Sequence, residues 1–499
     1  MKKIVLIIVS AWLITGGIVA QTIDDALRYS QIFYSGTARF NAMGGAFTAL
    51  GADMSTLSQN PAGIGMYRAS EFSITPRLSY IKSDTYFDGY GSTDYEYNFK
   101  LGQVGYVANI FKSQSASNSF VFNIGYSYNM TNNFKQHILT SGINNSSSIA
   151  DSWAAYGDGC HYTELGGPEG IAYDTWVIDT LTGYGGSYYG TVYSNYGDDL
   201  PSVYGQRMKR SAINDGFMGE HSFSLGGNYS DKLYFGMTFG FNKLKFSSYS
   251  EHIETADMQL VSGFKSLNYV DYYENDGDGF TFKLGVIAKP IDILRIGVAF
   301  HSPTFYNIDE YFYQDITSKF DGSDSYSSNT EPMRFNYALR TPSRFLTGVA
   351  VQIQKVALVS VDYEYVNYAN ALFSQTGDGY NYSDKNNEIK DAFKSASNFK
   401  IGGEYRISNL YLRGGYGYYG KPFKSRETNA DLDYMTLSCG VGLRTKNVSF
   451  DFGYVNYRSK QYYYLYHLDS YGGPPSPGYD LETMKNTFTF TLGFRFNTL

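Results

Sequence analysis

The 499-residue chain has very few cysteines, namely Cys160 and Cys439. Two cysteines so far apart form neither a disulfide framework nor the ligand cluster of a structural zinc site, and they would pair only if the fold brought them together. Charged residues are also scarce, at 17% of the chain against about 25% in ordinary soluble proteins. The net charge of -7 and the lack of a Lys/Arg run argue against a nucleic-acid partner.

Long apolar runs are equally sparse. Beyond Gln21 no stretch of about 18 apolar residues could form a transmembrane helix. The one marked run stands at the start, where Lys2 and Lys3 precede an apolar segment that ends at Val19. Residues 1–20 are therefore predicted to be a secretory signal peptide, with a retained membrane anchor as the alternative. No cysteine follows the run, so a lipoprotein is not expected.

Aromatic residues are abundant, at 18% of the chain, with 50 tyrosines and 35 phenylalanines. The C-terminal segment 487–496 reads TFTFTLGFRF, in which aromatic or aliphatic residues alternate with polar or small ones. Because successive side chains of a β-strand point to opposite faces, such a strand has one apolar and one polar face. This alternation is typical of transmembrane barrels, although a soluble sandwich can also show it.

The same alternation recurs along the chain. It is clear at residues 120–128 and 233–241, for example. The predicted strands, about fourteen in number, cover residues 71–81, 98–110, 118–130, 220–229, 232–246, 279–289, 292–302, 343–354, 356–367, 397–406, 410–419, 433–444, 447–457 and 486–496.

The connections between these strands alternate in length. Tight turns such as Ser230-Asp231 are followed by long polar segments, of which residues 131–219 are the longest. Short periplasmic turns and long extracellular loops produce this pattern in outer-membrane barrels. The sequence therefore predicts an all-β protein, a transmembrane antiparallel barrel of about fourteen strands over residues 71–499. Its expected location is the cell outer membrane, with membrane lipids as neighbours.

Residues 21–70 do not alternate. They begin with a predicted short helix capped by Thr22 and Asp24, followed by segments rich in small residues. About fourteen strands enclose a lumen too wide for side chains alone to fill. This N-terminal segment is therefore predicted to be a plug inside the lumen.

This segment contains the blocks Met43-Gly44-Gly45 and Asn60-Pro61-Ala62-Gly63. Both resemble the FadL/TodX family of outer-membrane transporters for long-chain fatty acids and aromatic hydrocarbons, and we expect a member from a Bacteroidetes-like bacterium. The resemblance continues through Lys283–Gly285, Ser302-Pro303 and Gly402–Arg406 in the strands. It implies that the N-terminal segment is a hatch inside the barrel. The hatch residues that carry the resemblance are Met43, Gly44, Gly45, Asn60, Pro61, Ala62 and Gly63.

The family mechanism implied by this resemblance is passive diffusion. A hydrophobic molecule enters from outside, the hatch shifts, and the molecule leaves sideways through the wall at a kinked third strand. In this chain the lateral-opening candidates are Asn123 and Gly125. A glycine within a strand often marks a kink, but Gly125 could equally make room for the hatch.

Two tryptophans, Trp153 and Trp176, lie in the long segment 131–219. A capping box that begins at Ser148 predicts a short helix beside the first of them. One hypothesis is that the two indoles capture an apolar ligand at the cell surface. The alternative is that they pack a small core within the loop.

Signals for other chemistry are weak. The segment Asp276–Gly279 starts like a calcium loop but lacks the later glutamate, which favours a simple turn. The histidines show no close pairing, and no nucleophile elbow or phosphate loop is present. We therefore expect no metal, no cofactor and no enzyme activity. Transport of a hydrophobic small molecule is the leading hypothesis, and a surface barrel that binds secretion partner proteins is the alternative.

Overall fold

A computed structural model describes residues 22–114, 119–197, 202–260, 262–354, 356–377, 380–468 and 475–496. The predicted signal peptide lies outside the described residues. Fourteen antiparallel strands close into one barrel, because the first strand pairs with the last. They are β1 (Ser70–Phe87), β2 (Tyr90–Gln114), β3 (Ser119–Asn133), β4 (Gln206–Tyr229), β5 (Leu233–Thr255), β6 (Phe264–Ile291), β7 (Leu294–His301), β8 (Arg344–Ile353), β9 (Ala357–Asn367), β10 (Ser395–Ile407), β11 (Leu410–Tyr419), β12 (Tyr434–Arg444), β13 (Val448–Tyr464) and β14 (Gly478–Phe496).

The predicted fourteen-stranded antiparallel barrel is confirmed, and every predicted strand coincides with one of β1–β14. Several strands are much longer than the alternation indicated. Strand β6 has 28 residues, for example, whereas the pattern indicated residues 279–289. On these extensions the outward side chains are polar, as where Lys243 pairs with Asp276. The apolar signal therefore ends where the lipid-facing band ends, while the backbone hydrogen bonds continue.

The two faces of each strand are distributed as a membrane requires. In β14 the polar residues Thr487, Thr489 and Thr491 are buried inside the barrel, whereas Phe490 is 53% exposed on the outside. A soluble protein buries the apolar face instead. Closing the sheet also pairs β1 with β14, so that neither is left as a free edge in a lipid environment where an unpaired backbone group costs several kcal/mol. None of the helices in the described part of the chain is long and apolar enough to cross a bilayer.

Tight turns join the strands at one end of the barrel. At the β4–β5 turn, Ser230 and Asp231 both have φ of 55°. A two-residue turn with positive φ at both positions matches the twist of the strands that it joins. The connections at the other end carry further strands, which span Gln136–Asn144, Ile178–Thr180, Tyr189–Thr191, Phe305–Phe320, Ser325–Asn329, Met333–Arg340 and Leu372–Gln375.

The described chain also has six short α-helices, and 3-10 helices at Tyr162–Glu164, Val192–Gly197 and Tyr368–Asn370 besides the one named below. Three lie in the N-terminal segment, α1 (Ile23–Ser30), α2 (Ala38–Ala42) and α3 (Thr56–Gln59), and a 3-10 helix follows at Pro61–Met66. The others are α4 (Ile149–Gly157), α5 (Gly167–Asp174) and α6 (Ser383–Ala392). Thr22 caps α1 as predicted, but its reciprocal partner in the capping box is Asp25, not Asp24. The third residue of the helix is the one whose side chain reaches back to the cap.

Candidate functional site

The N-terminal segment, residues 22–69, packs against the inner face of the barrel wall. Glycines on the strands make this close approach possible. A Cβ atom on Gly297 would lie 2.0 Å from the Thr48 carbonyl oxygen, and one on Gly402 would lie 2.2 Å from the Met43 carbonyl oxygen. Any other residue would collide with the backbone of the segment. Further strand glycines whose Cβ would lie within 3.0 Å of the segment are Gly226, Gly236, Gly285, Gly348, Gly415, Gly440 and Gly453.

The block that begins at Met43 forms a tight turn after α2. Gly44 and Gly45 have φ of 63° and 71°, a region that favours glycine. Met43 is fully buried, and its carbonyl oxygen faces Gly402 as described above. This turn therefore reverses the chain against the wall at β10 and β11.

The block that begins at Asn60 is held by its own side chains. Asn60 is fully buried, its amide nitrogen donates to the Thr48 carbonyl at 2.6 Å, and its amide oxygen accepts from the Ala62 N–H. Pro61 then opens the 3-10 helix, where a missing N–H leaves no unpaired donor. A Cβ on Gly63 would lie 2.5 Å from the Thr56 hydroxyl oxygen. The predicted hatch residues thus form two linked turns.

Charged side chains of the wall bind backbone oxygens of the N-terminal segment. The Lys283 ammonium donates to the Ser58 carbonyl at 2.7 Å and forms an ion pair with Glu220. His301 Nε2 donates to the Gln59 carbonyl at 2.7 Å. Two strands away from His301, the Asp362 carboxylate of β9 accepts from the Thr48 N–H. Buried polar groups are stable only when they are paired in this way.

Above the N-terminal segment lies a cavity of about 400 Å³ inside the barrel. One side is an aromatic cluster in which Phe33 packs edge-on against Tyr419, Tyr434 and Tyr457. The remaining surface is largely polar. Its charged lining residues are Arg28, Arg77, Lys135, Arg210, Asp271 and Lys485.

The lateral-opening candidates both face this interior. Asn123 is fully buried, and its amide donates to the carbonyl oxygens of Ile64 and Tyr67. A Cβ on Gly125 would lie 3.0 Å from Leu57 in α3 and 3.1 Å from Ile64. Gly125 is paired on both sides, but the register of β3 with β2 shifts beside Asn123, because Asn109 lies opposite Asn123 whereas Phe111 lies opposite Phe122. This geometry agrees with the second explanation of Gly125, which is room for the N-terminal segment.

The wall is irregular a few residues further along β3. The pairing of β3 with β4 shifts between Met130 and Asn132, and the pairing with β2 ends at Gln103 and Asn129. Within the described chain, residues 90–102 of β2 have no ladder partner on the β3 side. Beside this gap the outer surface holds a cleft of about 400 Å³, lined by Lys100, Leu101, Val104, Tyr126, Tyr128, Met130, Phe217 and His221.

One contact joins the lining of the inner cavity to the lining of the outer cleft. The Arg77 guanidinium, which lines the cavity, lies 3.5 Å from the sulfur of Met130, which lines the cleft. Sequence reasoning missed both residues. Neither residue belongs to a recognisable sequence motif, and only the folded barrel brings their two strands together.

The two tryptophans of the long connection have different environments. Trp153 is 4% exposed and packs edge-on against Tyr269 of β6, within a core shared by α4, α5 and the barrel. Trp176 is 49% exposed, has φ of 59° and contacts Tyr326. It follows the end of α5 at Asp174, so it does not belong to that helix. The structure therefore does not bring the two indoles into one groove.

The N-terminus of α4 is anchored to the barrel. Ser148 and Asp151 form the predicted capping box, and the Ser148 hydroxyl and Ile149 N–H both donate to Glu254 of β5. Burial raises the pKa of Asp151 to about 6, although the Ser148 N–H opposes this shift by hydrogen bonding to the carboxylate. The loop core is thus fixed to the wall by a polar contact as well as by Trp153.

We expect Trp153→Ala to loosen this connection and Trp176→Ala to leave it intact. Removing a buried indole costs about 3–5 kcal/mol, whereas removing a half-exposed one costs far less. Limited proteolysis of the inserted barrel measures the difference as the rate of cleavage within residues 145–197. Equal cleavage rates for the two variants would contradict the assignment of Trp153 to the loop core.

Other predicted signals are not brought together. Cys160 and Cys439 are both free. Among the residues described, no group of three His, Cys, Asp or Glu could hold a metal ion. The turn predicted at Asp276–Gly279 is wrong, because these residues lie within β6 and pair with β5. Their polar residues face outward, beyond the apolar band, which sequence alone does not distinguish from a loop.

Comparison with known proteins gives a family and a fold. A model of the outer membrane protein transport protein family (OMPP1/FadL/TodX) matches residues 187–497, more than half of the chain. A Pseudomonas aeruginosa FadL homologue aligns with a TM-score of 0.56 at 11% identity, over 94% of this chain and 100% of that one. The Ralstonia pickettii toluene transporter TbuX aligns with a TM-score of 0.51 at 16% identity, over 93% and 99%. No curated protein sequence matches the chain.

Proposed function

Because this chain belongs to the OMPP1/FadL/TodX family of outer membrane transport proteins, we propose that it carries hydrophobic small molecules across the outer membrane. Long-chain fatty acids and monoaromatic hydrocarbons are the candidate classes. Toluene is the compound that the name of the similar Ralstonia pickettii transporter gives for that protein. Transport is passive diffusion, and members of the family are transport proteins, so we propose no enzyme activity.

The observation that carries this proposal is the pair of cavities on either side of the barrel wall. The inner cavity and the outer cleft each have a volume of about 400 Å³. That volume is within the range of ligand pockets for small molecules. The contact of Arg77 with Met130 joins the linings of the two. Movement of these two side chains would connect the lumen with the lipid.

We propose the lateral exit at this gap between β2 and β3, beside the irregularity at Met130–Asn132. The backbone ladder already ends there, so opening the gap breaks no ladder hydrogen bond, and the contact to be released is that of the Lys100 ammonium with the Gly216 carbonyl. At Asn123 and Gly125 the wall would have to lose pairs on both sides. We therefore assign these two residues to holding the N-terminal segment beside the exit.

We propose that residues 22–69 are the hatch. The part from Gly36 to Met66 is gripped by strand glycines and by Lys283, His301 and Asp362. The more N-terminal part has fewer wall contacts of this kind and borders the inner cavity at Arg28 and Phe33. Passage therefore requires movement of the part around α1, with the rest remaining in place.

The test is uptake of a labelled long-chain fatty acid and of a labelled monoaromatic hydrocarbon in cells that lack their own transporter. The intact protein is compared with the hatch variant Asn60→Ala/Pro61→Ala. This variant loses the Thr48 and Ala62 hydrogen bonds of Asn60. We expect uptake of at least one compound by the intact protein, and an altered rate with leakage of a water-soluble dye in the variant.

Asn409→Ala is the matched control, because Asn409 lies exposed in the β10–β11 turn. It should transport as the unchanged protein does. A correctly inserted barrel that takes up neither compound would contradict the transport proposal. It would favour the alternative of a surface barrel that binds secretion partner proteins.

A further inference from the structure

The long connection between β3 and β4 lacks basic residues. Residues 136–206 contain no lysine or arginine, although the whole chain has 40 in 499 residues. Charges of both signs are normally interspersed on a protein surface. The carboxylates of the same segment are those of Asp151, Asp158, Glu164, Glu169, Asp174, Asp179, Asp198 and Asp199. The connection therefore places charge of one sign at the extracellular end of the barrel.

The carboxylates of this connection accept hydrogen bonds from neutral donors. Asp158 accepts from the Tyr189 N–H at 3.1 Å, and Asp174 accepts from the Ser328 hydroxyl at 3.0 Å. Among the residues that the structure describes, no lysine or arginine forms an ion pair with a carboxylate of this connection. The negative charge is thus left for a partner to compensate.

The adjacent strands do not supply the missing cations. Lys265 already forms an ion pair with Asp321. The Ser318 hydroxyl donates to the Thr175 carbonyl at the end of α5. Because successive residues of a strand point to opposite faces, the next residue, Lys319, points away from α5.

Aromatic side chains form part of the outer surface of the same connection. Tyr162, Tyr184 and Tyr188 are 42%, 60% and 45% exposed. The ring of Tyr162 stacks on that of Tyr173, with centres 5.5 Å apart. The rings of Tyr184 and Tyr188 are also 5.5 Å apart. These four residues form the tyrosine face.

The backbone holds the two ring pairs beside each other. The Tyr162 N–H donates to the Gly186 carbonyl at 3.0 Å, within the turn between Tyr184 and Tyr188. A Cβ on Gly186 would lie 3.1 Å from the Tyr162 ring, so this ring lies directly against the turn. The rings are therefore presented on a fixed backbone, which lowers the entropic cost of binding.

Carboxylates border the tyrosine face. Burial raises the pKa of Tyr173, and the charge of the nearby Asp179 raises it further. Asp158 and Glu164 are both exposed on the segment that carries Tyr162. The exposed rings and the uncompensated charges thus belong to one surface.

Elsewhere in the molecule, rings and cations are already combined. Arg334 lies 5.0 Å from the centre of the Tyr311 ring, and Arg406 lies 5.4 Å from that of Tyr411. In the described parts of the chain, no lysine or arginine lies over a ring of the tyrosine face. A cation from outside the chain would make the same contact there.

We propose that the tyrosine face binds a basic segment of a partner polypeptide, whose arginine and lysine side chains lie on the exposed rings and pair with the bordering carboxylates. A cation is attracted to the face of a tyrosine ring, and a guanidinium also stacks on it. Tyrosine and arginine are both enriched at the energetic centres of protein interfaces. Anionic lipids and nucleic acids would be repelled by this surface. The inference is independent of the transport function.

The test uses the purified full-length protein in a nonionic detergent, with labelled nona-arginine, nona-lysine and nona-glutamate as probes. We expect nona-arginine to bind more tightly than nona-lysine, and nona-glutamate not to bind. Tyr162→Ala/Tyr188→Ala should weaken nona-arginine binding about 5- to 30-fold, the range for two exposed cation–ring contacts. It should also remove the preference for arginine over lysine.

A second variant removes the charge and keeps the shape. Asp158→Asn/Glu164→Gln/Asp179→Asn retains acceptor oxygens at all three positions. It should weaken the binding of both basic probes about 10-fold, since each exposed ion pair contributes little singly.

Tyr86→Ala/Tyr90→Ala is the matched control for the rings, because both tyrosines are about half exposed on the β1–β2 hairpin. Glu331→Gln/Asp384→Asn/Asp431→Asn is the control for charge, because it removes three exposed carboxylates from other connections. Both controls should bind nona-arginine as the unchanged protein does. Equal weakening by the two triple variants would overturn the proposal, because the probe would then respond only to net charge.

Two further outcomes would also overturn it. One is failure of the intact protein to bind nona-arginine more tightly than nona-glutamate. The other is displacement of nona-arginine by an equal concentration of tetramethylammonium, which would identify a small organic cation as the ligand. Uptake of the transported compounds should be unchanged in Tyr162→Ala/Tyr188→Ala, so failure of this proposal is distinguishable from failure of the transport function.

Discussion

Gly402→Val is expected to displace the hatch and turn a closed barrel into an open one. The new Cβ would lie 2.2 Å from the Met43 carbonyl oxygen and 2.9 Å from the Met43 side chain. The closest atom to the new Cβ belongs to the backbone, so rotation of a side chain cannot relieve the clash. Overpacking of this kind costs about 1–3 kcal/mol or more. Displacement of the segment relieves the clash and leaves a lumen that conducts ions. Conductance across planar bilayers and sensitivity of cells to large antibiotics measure the effect.

Gly403→Val provides the control in the same strand. Gly403 follows Gly402 directly and points outward, where the nearest atom to an added Cβ is the Leu358 carbonyl oxygen at 3.7 Å. This variant should remain as closed as the unchanged protein. Heat-dependent electrophoretic mobility checks that both variants have folded barrels. A folded Gly402→Val barrel that conducts no more than the Gly403→Val barrel would contradict the close packing of the hatch.

Lys283→Met is expected to cause a large loss of stability in the barrel wall. It leaves the Glu220 carboxylate without its cation, and the remaining side-chain partner of Glu220 is the Ser222 hydroxyl. It also removes the hydrogen bond to the Ser58 carbonyl of the hatch. Breaking a buried ion pair from one side costs about 3–5 kcal/mol. The free energy of unfolding in urea measures the loss.

The double variant Lys283→Met/Glu220→Leu should regain most of that stability. With both charges gone, no buried ion is left without a partner. Lys265→Met is the comparison at the surface, where the Lys265–Asp321 pair is half exposed. An exposed pair contributes about 0–1 kcal/mol. A double variant as unstable as Lys283→Met would indicate that the Ser58 contact, and not the stranded Glu220 charge, dominates.

The sequence predicted the barrel well because the alternation of side chains is a local property. Each strand shows its own lipid-facing pattern, as TFTFTLGFRF does in β14, without reference to any other strand. The pattern failed where the outward residues became polar, at the extensions of β6 and at Asp276–Gly279. There the strand is defined by its backbone hydrogen bonds, which cannot be predicted from the pattern of side chains.

The hatch residues were found in the sequence only by resemblance, and their contacts were not found at all. Met43 and Asn60 are informative positions, but their partners Gly402 and Thr48 follow only from the folded chain. The total of 53 glycines likewise does not indicate which of them allow the N-terminal segment to approach the wall closely. The close approach is possible because the folded strands place these glycines next to the segment.

The sequence by itself determined the membrane-spanning strands and their antiparallel connection, and it predicted that the N-terminal segment lies in the lumen. The tertiary structure decided where the wall is open and which charges meet. Arg77 and Lys485 stand near opposite ends of the chain and become neighbours only because β1 closes onto β14. Closure and register depend on contacts between distant residues, whereas alternation depends on adjacent ones. The physical basis of the proposed lateral exit therefore lies in the closed barrel and not in any motif.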